Sequence, residues 1–84
     1  MSPELRLVLS AAITELERQL RAAEKKVKRA SDARLALPVG ATRASVTTAN
    51  ARHMTACEQR DRIDAALRLA RELLHGTARL EVAS

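Results

Sequence analysis

The sequence predicts an all-α protein, an antiparallel two-helix hairpin of coiled-coil type that dimerises into a four-helix bundle, and three observations carry that prediction. Two long stretches repeat apolar residues in steps of three and four, the spacing of a helical seam. Between them, near the middle of 84 residues, the stretch Leu37-Pro38-Val39-Gly40 is the one place where both helix-breaking residue types fall together. Finally, the chain has no Phe, Trp or Tyr, so its core must come from Leu, Val, Ile and many Ala, which suit close helix approach.

The first helix is expected over about residues 3–36. Ser2 can cap it, Pro3 suits its first position and Glu4 sits where the helix dipole favours a negative charge. Its seam runs through Leu5, Leu9, Ala12, Leu16, Leu20, Ala23, Val27 and Ala30, with one four-residue insertion between Leu16 and Leu20 that should locally unwind a supercoil. Val8 and Ile13 widen the apolar stripe, as a second hairpin packed on this half would require, while Leu7 lies off that face. Beyond the basic run Lys25-Lys26-Val27-Lys28-Arg29, Ser31-Asp32 weakens the helix, which is expected to fray from there.

The turn spans about residues 37–44, because Pro38 removes a backbone donor and Gly40 can adopt the positive φ that reversals often need. The second helix is expected over about residues 45–75, with Thr42, Ser45 and Thr47 as candidate caps. Its seam is unbroken through Ala49, His53, Ala56, Arg60, Ile63, Leu67, Ala70 and Leu74. His75 in the last turn and Gly76 after it predict a stop, leaving residues 76–84 as a short edge strand or an arm.

Folding the chain at Gly40 segregates charge from apolar bulk. Residues 25–60 hold eight basic side chains against Asp32 and Glu58, a balance of +6, whereas the rest of the chain holds seven against eight, a balance of −1. The turn-proximal end is therefore the candidate partner-binding tip, with Lys25, Lys26, Lys28, Arg29, Arg34, Arg43 and Arg52 as its contacts. Large aliphatics concentrate at the other end, where Leu9, Ile13, Leu16, Leu20, Ile63, Leu67 and Leu74 form the candidate dimer core. A chain this short, with a single cysteine and so no internal disulfide, needs such an added source of stability.

Two polar seam residues stand out. Arg60 needs a carboxylate or solvent, and the register places Glu17 and Glu24 on the facing helix within reach, so Arg60, His53, Glu17 and Glu24 are candidates for fixing the register. His53 and Cys57 share a helical face but supply two ligands where structural zinc takes four, so no metal is expected. One Cys, two His and no glycine-rich phosphate loop offer no nucleophile-and-base pair, so neither enzyme activity nor a cofactor or small-molecule substrate is expected. Carboxylates such as Glu17, Glu24 and Glu58 stand four residues before Arg21, Lys28 and Arg62, the spacing of surface ion pairs.

The sequence thus points to a small non-enzymatic interaction module, of adaptor, inhibitor or assembly-chaperone type, whose basic tip meets an acidic or helical protein partner. The second reading is a non-specific nucleic-acid-binding protein using the same tip on phosphates, although no aromatic residue is present to stack on a base. The N-terminus lacks the pattern of a signal peptide, no stretch matches a membrane span, and an unpaired Cys57 suits a reducing compartment, so a cytoplasmic setting is expected.

Overall fold

The computed structural model describes residues 2–83, with side chains described through residue 76. Helix α1 runs over Pro3–Leu35 and helix α2 over Arg43–Ala83, and together they form an antiparallel hairpin. Ser2 caps α1 in extended backbone, its Oγ accepting from the Leu5 N–H at 3.2 Å. The expected fraying at Ser31 does not occur. Asp32 accepts from Lys28 at 3.2 Å through its side chain and from the Ala36 N–H at 2.9 Å through its carbonyl, bracing the last turns.

The reversal is tighter in chemistry than expected. The Ala41 N–H donates to the Pro38 carbonyl at 2.9 Å, closing a turn over residues 38–41, yet Gly40 does not use positive φ. Such a turn can be built wholly from right-handed conformations, so the reversal needs Pro38 as a stop but not glycine's special freedom. Thr42 is the cap of α2: its Oγ1 accepts from the Ser45 N–H at 3.1 Å while its hydroxyl donates to Ser45 Oγ at 2.9 Å. That cap starts α2 two residues earlier than expected, despite the weak helix propensity of the residues that follow.

At the other end the expected stop at Gly76 is overturned, since α2 continues through Ala83. No glycine among the described residues has positive φ, so Gly76 is an ordinary interior helix position. Without a following proline a lone glycine costs about 1 kcal/mol relative to alanine but does not break a helix. The tail of residues 76–84, expected as a strand or arm, is helical in backbone through Ala83; its side chains beyond residue 76, and Ser84, lie outside the described residues.

Packing follows both seams. Every seam position of α2 is buried or half-buried, and so is every one of α1 except Leu5 at its open end. Among the described residues only Ala23, Leu67 and Ala70 are fully buried, with Leu67 at 1 % exposure. Leu67, expected in a dimer core, therefore already spends its surface inside one chain. The rest of that set, Leu9, Ile13, Leu16, Leu20, Ile63 and Leu74, is half-buried.

The result is a rod of 65 × 17 × 14 Å with a radius of gyration of 18.9 Å, against about 12 Å for a compact domain of this length. No helix among the described residues is long and apolar enough to cross a membrane.

Candidate partner-binding tip

The turn-proximal third of the hairpin is thin because its facing side chains are small. Ala30 and Ala33 of α1 meet Ala44, Thr48 and Ala49 of α2, and the unfilled space forms a groove of about 600 Å³ closed toward the turn by Leu37. Arg29 and Arg52, one from each helix, stand at its other end. A second groove of about 510 Å³ shares Thr48 and Arg52 with the first and continues past Lys26, Ala51, Thr55 and Gln59. A third, smaller one shares Lys26 and Gln59 with the second and reaches Gln19, Ala22 and Ile63. The three are thus one continuous furrow along a single flank.

The tip cations are exposed and mostly unneutralised. Lys28 pairs with Asp32, whereas Lys25, Lys26, Arg29, Arg34, Arg43 and Arg52 form no ion pair among the described residues. Such charges stay hydrated and available, and their field is concentrated by the absence of carboxylates around the turn. The structure brings Arg29 and Arg52 together at the groove and places Lys26 beside the second one, while Arg34 and Arg43 flank the turn at the facing helix ends.

Arg60 does not find its carboxylate across the seam. Its Nε and Nη2 donate to Asp61 Oδ1 at 3.1 and 3.0 Å, within its own helix. These hydrogen bonds are the main cause raising the guanidinium pKa, with the Asp61 charge next and Glu24 adding a weaker attraction. Glu17 instead reaches Arg71 at 4.0 Å, a contact that does cross from α1 to α2. Glu17 with Arg71 is thus the contact of opposite charges that crosses the seam here, at the long limit of an ion pair and between exposed side chains. The expected pairing with Glu17 or Glu24 does not form because an Arg at a half-exposed seam position can turn its long side chain outward to an adjacent acid.

His53 Nε2 and Cys57 Sγ lie 3.7 Å apart on the same face, both half-buried. Among the described residues no group of three His, Cys, Asp or Glu side chains is placed to hold a metal ion. None of the expected surface pairs, Glu17 with Arg21, Glu24 with Lys28 and Glu58 with Arg62, forms among the described residues: Glu17 meets Arg71 and Lys28 turns to Asp32, while a pair not expected joins Asp64 to Arg68 at 3.0 Å. Glu15 is held by Arg18 and Gln19, which lower its carboxyl pKa.

Sequence reasoning missed the furrow itself. Its signal was present in Ala33, Ala44, Thr48 and Ala51, small residues just off the seam whose flank becomes a cleft only once both helices are paired. Comparison of the chain with protein-family models, curated proteins and solved structures finds no match to any of them.

Proposed function

We propose that the protein is a small interaction module, without chemistry of its own, whose basic tip docks on an acidic protein surface in the cytoplasm. The observation that carries this reading is the set of six tip cations without ion pairs among the described residues. A purely solvating charged face normally intersperses both signs, and its pairs satisfy one another. Here the same chain intersperses them at the far end, through Glu15 with Arg18, Asp64 with Arg68 and Glu17 with Arg71, whereas of the tip cations only Lys28 is paired among the described residues, with Asp32. Complementary charge of this kind speeds encounter and selects partners. Phosphates of a nucleic acid offer the same complementarity and are the competing reading.

The test is a pull-down from cell lysate with the natural chain and with a variant carrying Lys25→Gln, Lys28→Gln, Arg34→Gln and Arg43→Gln, each divided into nuclease-treated and untreated halves. The expected result is an acidic protein at near-stoichiometric yield that survives nuclease and is lost with the variant. Recovery that disappears on nuclease treatment would transfer the tip to nucleic acid, and equal capture by the variant would remove the tip from binding altogether.

A further inference from the structure

We infer that the furrowed flank is covered by a second copy of this chain, laid antiparallel so that the open end of each hairpin fills the tip groove of the other. The first observation is area. The single chain exposes 6467 Å², whereas a compact monomer of 9.2 kDa exposes about 4,900 Å². The excess, about 1,500 Å² on each chain, is about twice the roughly 800 Å² that one partner contributes to a standard interface.

The second observation is shape. At steps of about 100° per residue, Val8 on α1 and Leu69 and Leu73 on α2 project to the same side of the seam as Thr48, Thr55 and Gln59. The cross-helix pair Glu17 with Arg71 marks the opposite side. Val8 is 62 % exposed, Leu69 57 % and Leu73 52 %. One flank thus carries large uncovered aliphatics at one end and a groove lined by Ala30, Ala33, Ala44 and Ala49 at the other. A twofold axis near Ala22 and Gln59, midway along the rod, superposes knobs on groove twice over, as a self-complementary interface requires.

Charge selects the antiparallel sense. Parallel copies would stack two ends of +6, whereas antiparallel copies set each such end against one of −1 and bring Arg29 and Arg52 toward the partner copy's Glu15. The arrangement leaves Lys25, Lys28, Arg34 and Arg43 outside the furrow, so it stands independently of the function proposed for them.

The test combines sedimentation with cysteine cross-linking of the full chain. The natural protein is expected to sediment as a dimer at micromolar concentration, and Val8→Glu with Leu73→Glu, both at exposed positions, to halve its mass. In a Cys57→Ser background, Ala22→Cys should cross-link to itself through a short bis-maleimide, and Thr48→Cys should link to Val8→Cys only when the two proteins are mixed. Cys57 of the natural chain, on the other flank, should not link. A monomeric natural chain, a dimer linked through Cys57, or self-linking of Thr48→Cys would each overturn the proposal, and the cross-links read out the arrangement even if the glutamate variant fails to fold.

Discussion

Arg60 shows how a single side chain resolves a conflict between pattern and chemistry. Its position belongs to the seam, yet its guanidinium leaves the seam to meet Asp61, so the layer between Ala56 and Ile63 is filled only by its alkyl stem. Removing the charge frees that space for packing. Arg60→Leu is expected to raise stability by about 1 kcal/mol, within the range seen when ion pairs yield to well-packed apolar groups. Urea unfolding followed by circular dichroism checks it, and a lowered midpoint would mean that the Asp61 pair stabilises α2 by more than the added packing gains. The sequence identified Arg60 as anomalous but not its partner, because a neighbour one position along a helix does not face it in the usual way and no spacing rule singles it out.

At the scale of the element, the two helices were legible wherever seam and cap agreed. Ser2-Pro3-Glu4 began α1 where expected, and the step pattern through Leu5 to Ala30 and Ala49 to Leu74 marked the inward faces correctly. The far boundary of α2 was not legible, because glycine serves as a terminator only when it takes a left-handed conformation, and its presence does not announce which conformation it takes. Gly76 has ordinary helical φ and nothing within 4 Å of where a Cβ would stand. Gly76→Ala should therefore stabilise the chain by about 0.5–1 kcal/mol. A terminating glycine would respond in the opposite sense, so the shift in thermal midpoint decides between the two.

At the scale of the molecule, the hairpin topology and the separation of charge from aliphatic bulk were both readable, since the first needs one enforced turn and the second only a fold about it. The furrow was not, because it exists between helices and belongs to neither. A rod with three fully buried residues among those described is poorly stabilised alone. If a second copy supplies the missing cover, unfolding becomes bimolecular, and the midpoint should climb by several °C, on the order of 5, for each tenfold rise in protein concentration. A midpoint that ignores concentration would show that one chain suffices.

The position of the buried leucine also orders events in time. Around the turn the helices meet through alanine and threonine, so zipping outward from Pro38 gains little at each step. The one large side chain fully enclosed among the described residues, Leu67, lies far from the turn, across a loop of some fifty residues. Closing that loop costs about 1 kcal/mol more than closing one of a dozen. The free ends are therefore expected to latch before the hinge tightens, and refolding to be slower than the local contacts of a helical protein would suggest, which stopped-flow circular dichroism checks.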